Sequence, residues 1–196
     1  MLRPGSWPVS RIIAGVVGGN PLVSVPGNAT RPTTDRVKEA LFSRLEALDA
    51  IDDARVLDLY AGSGSLGIES ASRGARSAEL VESDARASEV CQRNADMANQ
   101  VLGRRIVSVT RSKVESFLER AADDVLWDLV FLDPPYPLDE PSLKAVLDKL
   151  AFHLDEGAVV VVERSSRSPE PDWPDTLERF ADKKYGETKL WFAEPV

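Results

Sequence analysis

From residue 55 onward the chain alternates short apolar runs with stretches in which apolar residues return every three or four positions. Arg55 to Tyr60 predicts a strand, and Leu66, Ile68 and Ala71 mark the helix after it. Ala78 to Glu82 predicts a second strand, followed from Asp84 by a helix carrying Ala87, Val90, Cys91 and Ala98 on one face. Ile106 to Thr110, Val125 to Leu132 and Ala158 to Glu163 predict three more strands, with a helix bearing Leu143, Val146, Leu147 and Leu150 between the last two. Strands that alternate with helices imply a largely parallel sheet covered on both faces. The tail departs from this rhythm: Glu178 to Tyr185 and Thr188 to Glu194 flank Gly186-Glu187, the pattern of an antiparallel hairpin. The expected fold class is α/β, Rossmann-like, with a seven-stranded, mostly parallel sheet and an antiparallel C-terminal hairpin.

The first fifty residues read differently. Arg11-Ile12-Ile13-Ala14-Gly15-Val16-Val17-Gly18-Gly19-Asn20-Pro21-Leu22-Val23-Ser24 is two β-branched runs around a Gly-Gly-Asn-Pro break, a hairpin signal. Next, Arg31-Pro32-Thr33-Thr34-Asp35 sets a proline and a threonine cap before Val37, Leu41, Leu45 and Leu48, which predicts a helix with one apolar stripe. Ser165-Ser166-Arg167-Ser168-Pro169-Glu170-Pro171-Asp172 is the most linker-like piece, and no internal repeat interrupts the chain. Residues 1–50 are therefore read as an N-terminal extension of hairpin and helix, and residues 51–196 as the main domain.

At 196 residues and 43% hydrophobic, the chain suits one well-buried domain better than two. Cys91 stands alone, which rules out a disulfide within the chain, and with a single His153 a His/Cys metal site is not expected. Cys91 lies on a helix stripe and reads as core; His153 reads as a helix-end or surface residue. No run of eighteen apolar residues and no signal-peptide core appear, so no membrane association and a cytoplasmic location are expected. A net charge of -8 argues against a nucleic-acid binder until its distribution is considered. Residues 1–45 carry Arg3, Arg11, Arg31, Arg36, Lys38 and Arg44 against only Asp35 and Glu39, making the front of the chain the part suited to face a polyanion.

Two constellations carry candidate chemistry. Asp58-Leu59-Tyr60-Ala61-Gly62-Ser63-Gly64-Ser65-Leu66-Gly67 follows a strand and opens a helix, the context in which a glycine loop lets a ligand approach the main chain. Glu82 closes the next strand, beside Ser83, where an acidic side chain accepts from a ribose diol. A carboxylate at Asp58 would repel a pyrophosphate but accept from an ammonium, which favours S-adenosylmethionine over a dinucleotide; the other reading of Asp58 is a cap on local backbone. Tyr60 and Ser63 sit in the same turn and are candidate cofactor contacts with Gly62, Gly64, Glu82 and Ser83.

The second constellation, Asp133-Pro134-Pro135-Tyr136, ends the apolar run Leu129 to Leu132. The lone pair of an exocyclic amine on a nucleobase is delocalised into the ring, so methylating it calls for acceptors on its hydrogens. Asp133 offers a carboxylate oxygen, Pro134 a carbonyl held in a rigid turn, and Tyr136 a ring face for stacking the base. The alternative is a rigid strand-end turn with a half-buried aromatic.

With both motifs placed, the chain resembles the class I S-adenosylmethionine-dependent methyltransferases that act on amino groups, whose signature is (Asp/Asn)-Pro-Pro-(Tyr/Phe). Arg31-Pro32-Thr33-Thr34-Asp35-Arg36-Val37-Lys38-Glu39-Ala40-Leu41-Phe42, preceded by Arg11-Ile12-Ile13-Ala14-Gly15, resembles the RsmD family of bacterial 16S ribosomal RNA guanine-N2 methyltransferases. The similarity runs from about residue 10 to the end and includes Tyr185-Gly186-Glu187-Thr188. It implies S-adenosylmethionine-dependent methylation of one guanine N2 in 16S rRNA, on the 30S subunit or a late assembly particle; a monomer that uses no metal is expected. Asp58, Gly62, Gly64, Glu82 and Asp133 would hold the cofactor, and Asp133, Pro134 and Tyr136 the amine. The resemblance implies that Arg31 to Arg36, with Thr34, closes over the cofactor or touches RNA, with Arg11 and Pro135 as further substrate contacts. Relatives carry an acidic residue near the adenine after the third strand; here that run is Thr110-Arg111-Ser112-Lys113-Val114, which leaves Ser112 as the candidate. Two rival functions remain: N6-adenine methylation of DNA or RNA, and a non-catalytic ribosome-assembly factor that binds RNA.

Overall fold

The computed structural model describes residues 10–27, 33–135 and 137–196. Arg3, Arg31 and Tyr136 lie outside the described residues.

Seven strands form one sheet: β1 (Arg55–Leu59), β2 (Ser77–Glu82), β3 (Val107–Arg111), β4 (Trp127–Leu132), β5 (Leu154–Ser165), β6 (Leu177–Tyr185) and β7 (Thr188–Pro195). Across the sheet the order is β3-β2-β1-β4-β5-β7-β6. The first five strands pair in parallel, while β7 lies antiparallel against both β5 and β6. This is the expected class I methyltransferase arrangement, C-terminal hairpin included. The chain works outward from β1 to β3, then returns to place β4 on the other side of β1. In open α/β sheets the ligand cleft lies outside the carboxyl ends of the strands at such a reversal.

Alternation along the strands splits the core in two. Val56, Leu80, Phe131, Val161 and Phe192 face α1 (Asp35–Ala47), α2 (Ser65–Ser72) and α3 (Ala85–Leu102), which contribute Phe42, Ile68 and Cys91 among others. Leu57, Val81, Val130, Leu132 and Val162 face α4 (Val114–Arg120) and α5 (Glu140–Leu150), which contribute Leu118 and Leu147. Caps fix three of the helix starts: Thr34 accepts from Val37 N–H at 3.3 Å, Asp84 from Ala87 N–H at 2.8 Å and Asp139 from Ser142 N–H at 2.8 Å. The sequence pattern missed α4, because seven residues with Val114 and Leu118 as their buried pair give too little periodicity to read. His153 closes a short 3-10 turn after α5 and is buried, with Nδ1 3.1 Å from the Val125 carbonyl and its ring edge-on to Trp127.

The N-terminal hairpin is narrower than its two β-branched runs suggest. Arg11 and Pro21 form a single antiparallel bridge, supported by Ile12 N–H to Asn20 O at 3.0 Å and Gly19 N–H to Ile12 O at 2.7 Å. The ladder stops there because α2 takes the next donors: Ile13 and Ala14 N–H go to the Glu69 carboxylate, and Val16 N–H to Ser72 O at 2.9 Å. Gly15, at φ +79, lets the chain lie so close that an added Cβ would sit 1.9 Å from Ser72 O. Ile12 and Val17 are fully buried in the same apolar cluster as α1 and the sheet. No helix among the described residues is long and apolar enough to cross a membrane.

Candidate active site

Between β1 and α2 the chain makes a turn that only a permissive backbone can follow. Tyr60 takes a left-handed conformation at φ +60, Gly62 lies at φ +58, and Gly64, the N-cap of α2, lies at φ +84. For Tyr60 that conformation is strained, and it turns the ring toward the α4/α5 side of the sheet, where the hydroxyl is buried without a partner among the described residues. Beyond Gly62 an added Cβ would meet nothing within 4 Å, so the main chain there is open to a ligand. The loop is held from three sides: Gly64 N–H donates to Ala61 O at 2.8 Å, Ala61 N–H to Val81 O at 2.9 Å, and Asn94 Nδ2 to Ser63 O at 2.8 Å.

The strand alternation that sorts the core also sorts the acids. Continuing from Val56, Leu80, Phe131 and Val161 by two residues gives Asp58, Glu82, Asp133 and Glu163, so all four carboxylates occupy one face at the carboxyl ends of β1, β2, β4 and β5. Asp58 is buried and accepts from Gly67 N–H at 3.0 Å, which is the backbone-capping role; its other oxygen has no partner among the described residues. Burial raises its pKa to about 8, opposed by the Gly67 N–H and reinforced by the charge of Glu82. Glu82 accepts from Gly62 N–H at 3.0 Å and Asp84 N–H at 2.9 Å, tying the glycine loop to the end of β2. Burial lifts Asp133 well above the usual carboxylate range, with the charges of Glu163 and then Asp58 adding to the effect. Glu163 is raised by burial too, and Thr33, which donates to its Oε2 at 3.2 Å, works in the opposite direction.

No cationic side chain among the described residues acts on Asp58, Asp133 or Glu163. A cluster of carboxylates, Asp58 buried and Asp133 and Glu163 half-buried, without a counter-charge among the described residues suits a cationic ligand, and it is a poor home for the pyrophosphate of a dinucleotide. This set of acceptors therefore fits a cofactor carrying a sulfonium and an ammonium.

Other expected site residues are more dispersed. Pro134 is buried and Pro135 exposed; Leu138 N–H reaches back to Pro135 O at 3.0 Å. Ser83 is exposed beside Glu82, whereas Ser112 places its N–H on Glu82 O at 3.1 Å and engages Arg120 and the Lys113 carbonyl through its hydroxyl. Thr34 caps α1 through its side chain, and Arg11 and Arg36 are exposed.

Four residues that the sequence left unassigned, together with Lys38, which it counted with the basic front of the chain, shape this end of the sheet. Asn94 interrupts the apolar stripe of α3, a legible signal in retrospect, and bridges Val23 and Ser63. Lys38 and Glu69 are a buried ion pair, in which Lys38 Nζ also donates to Arg11 O at 2.7 Å and to Ser65 Oγ at 3.0 Å. Arg164 pins the loop after the prolines, donating to Leu138 O at 3.1 Å and to Glu140 at 2.6 Å. Glu163 could not be placed beside Asp133 until the strand order was known.

Comparison with known proteins agrees with this geometry. The family model described as "Conserved hypothetical protein 95" matches residues 10–194. Ribosomal RNA small subunit methyltransferase D of Escherichia coli K12 is 35% identical over 179 residues, covering 90% of this chain and 85% of its own length. The Haemophilus influenzae protein of the same name is 36% identical over 161 residues, covering 81% and 80% respectively. A solved hypothetical protein from Thermus thermophilus superposes with a TM-score of 0.77 at 31% identity, covering 95% of this chain and 99% of that one. The chain thus belongs to the "Conserved hypothetical protein 95" family, the methyltransferase family of the bacterial ribosomal RNA small subunit methyltransferase D proteins.

Proposed function

We propose that this protein transfers a methyl group from S-adenosylmethionine to the exocyclic N2 amine of one guanine in 16S rRNA, acting as a cytoplasmic monomer on the 30S subunit or a late assembly particle. The observation that carries the reading is the shared face: Asp133, at the start of the Asp-Pro-Pro turn, and the glycine loop with Asp58 and Glu82 lie together at the carboxyl ends of neighbouring strands, on one face of the sheet. Family membership supplies the substrate class, since the named relatives are small-subunit rRNA methyltransferases.

In this reading the open oxygen of Asp58 takes the ammonium of the cofactor, the main chain at Gly62, Ser63 and Gly64 lies along it, and Glu82 with Ser83 accepts from the ribose hydroxyls. Tyr60 and Ser112 line its flanks. The bound cofactor supplies an electrophilic methyl on a sulfonium. Asp133 and the Pro134 carbonyl accept the two amine hydrogens, which frees the nitrogen lone pair from the ring and directs it at the methyl group. Tyr136 provides a stacking face for a base turned out of its helix, with Pro135 beside it. As the N–C bond forms, the methyl C–S bond would break and leave its electron pair on sulfur as a neutral thioether, and the cationic amine would shed a proton to Asp133. Residues 1–50 form the RNA-contacting extension, through Arg11, Arg31, Thr34 and Arg36, and residues 51–196 the catalytic domain.

Mass mapping of methylated nucleosides in small-subunit RNA from cells with and without the protein tests this directly. One N2-methylguanosine should disappear with the gene and return with it; loss of N6-methyladenosine instead would overturn the assignment.

A further inference from the structure

Adenine and guanine both present an exocyclic amine, so Asp133 and Pro134 alone do not choose between them. The bases differ at the neighbouring ring nitrogen: guanine N1 carries a hydrogen and donates, while adenine N1 accepts. A second carboxylate beside the amine acceptor would therefore welcome guanine and repel adenine. Glu163 is placed for that role. Register pairs Leu132 with Val162, so the next residues outward, Asp133 and Glu163, stand side by side at the carboxyl ends of β4 and β5. Both follow the face of Phe131 and Val161, and the charge of Glu163 acts on Asp133 more strongly than that of Asp58. Thr33 fixes the carboxylate from the other side through its hydroxyl, 3.2 Å from Oε2.

Resting on the guanine-N2 reading above, we infer that Glu163 is the base-selecting residue of this enzyme: its carboxylate accepts the N1–H of the target guanine while Asp133 accepts the N2–H, and Thr33 is the positioning residue that holds it. The two carboxylates then form an acceptor pair matched to the two donors of the guanine edge. Burial raises the Glu163 carboxyl, and the Thr33 hydroxyl opposes that rise, toward the ionised form that selects guanine. The arrangement also gives Thr33 a purpose that capping does not, because the cap of α1 is its neighbour Thr34.

The test uses 2-aminopurine, which keeps the 2-amino group but has an acceptor at N1. Small-subunit particles are reconstituted with guanine or 2-aminopurine at the mapped target, and kcat/KM is measured for each with S-adenosylmethionine. The wild-type protein should prefer guanine by roughly 100-fold, because a site built to accept a hydrogen rejects an analogue lacking it. Glu163→Gln, whose amide can present either a donor or an acceptor, should narrow the preference to within about 5-fold. Thr33→Val should fall between the two, and Thr33→Ser should restore the wild-type ratio. Affinity for S-adenosylhomocysteine, followed by calorimetry, should change less than about 3-fold in each variant, which separates base selection from loss of the fold. A wild-type ratio near one, or a ratio unchanged in both Glu163→Gln and Thr33→Val, overturns the inference while leaving guanine methylation standing. Methylation of adenine N6 by the wild-type protein removes both.

Discussion

Glu69→Ala should be strongly destabilising although it removes no apolar core residue, and the reason lies in what its carboxylate serves. Glu69 is fully buried; one oxygen takes Ile13 N–H at 2.8 Å and lies 3.4 Å from Lys38 Nζ, and the other takes Ala14 N–H at 3.1 Å and Arg73 Nε at 3.0 Å. Removing it leaves the Lys38 ammonium, itself 1% exposed, with only the Arg11 carbonyl and the Ser65 hydroxyl. Breaking one side of a buried pair costs about 3–5 kcal/mol. The two stranded amides would add to that, but residues 10–24 can fray into water, which limits the further loss. At roughly 2–4 °C per kcal/mol for a domain of this size, the melting temperature should drop by about 10 °C. Lys38→Met should be milder, about 1–2 kcal/mol, because Glu69 keeps two amides and Arg73. The double variant Lys38→Met/Glu69→Ala should lose less than the sum of the single changes, since it buries no lone charge. Denaturant unfolding of the four proteins gives the cycle, and amide exchange at Ile13 and Ala14 reads the N-terminal contacts. A Glu69→Ala loss below about 1 kcal/mol, or one equal to that of Lys38→Met, would refute the reasoning.

Asp58, with its pKa pushed up to about 8, holds a proton in the ligand-free fold that the unfolded chain lacks at neutral pH. Its contribution to stability is full below the unfolded value near 4 and is lost as pH rises through about 8; a cationic ligand needs the ionised form, so S-adenosylhomocysteine affinity should rise by up to ~10-fold per pH unit between about pH 6 and 8. Calorimetry on the wild type and Asp58→Asn checks this: the slope should vanish in the variant, and a flat wild-type profile would contradict the assignment. Asp133→Ala should lower kcat by about 100-fold or more while leaving S-adenosylhomocysteine affinity within about 3-fold. Equal losses in both would make Asp133 a cofactor residue instead. Gly67→Ala would set its Cβ 2.2 Å from Leu80 Cδ2 and 3.2 Å from Asp58 Cβ, so despite a better helix propensity it should destabilise by about 1–2 kcal/mol and weaken cofactor binding, both measurable by thermal melts with and without ligand.

What the sequence disclosed follows from the range over which each signal acts. Strands β1, β2, β4 and β5 are runs of apolar residues bounded by polar ones, so their existence and the parallel class could be read locally. The glycine loop and the Asp-Pro-Pro turn were equally legible, since each is a contiguous piece whose backbone demands specific residues, as the positive φ at Gly62 and Gly64 bears out. The N-terminal hairpin was read too generously, because Ile13, Ala14 and Val16 look like strand residues, yet their amides are taken by Glu69 and Ser72, more than fifty positions away. Lys38 looked like part of a basic surface patch and is instead the buried partner of Glu69. No periodicity marks that difference, because a lysine on a helix contributes the same polarity to the pattern whether its ammonium reaches water or a carboxylate.

The acids at the strand ends were individually visible and collectively hidden. Asp58 and Glu82 flank the glycine loop in sequence, but Glu163 ends an ordinary apolar strand and is followed by Arg164, an invitation to read it as surface charge. Only the order β1-β4-β5 brings it beside Asp133, and only the alternation shared by all four strands turns the four carboxylates the same way. Their grouping also explains how a chain of net charge -8 can serve a polyanionic substrate. Negative charge concentrated at the strand ends favours a cationic cofactor and donor-rich base edges and disfavours phosphate; on the proposed function the RNA strand is therefore held elsewhere, by exposed arginines at the front of the chain, with a single base delivered inward. On the proposed function, lowering the salt concentration should therefore tighten RNA binding through Arg11 and Arg36 and leave base choice at Asp133 and Glu163 unchanged, because the first is a long-range screened attraction and the second a pair of short hydrogen bonds inside a desolvated cleft.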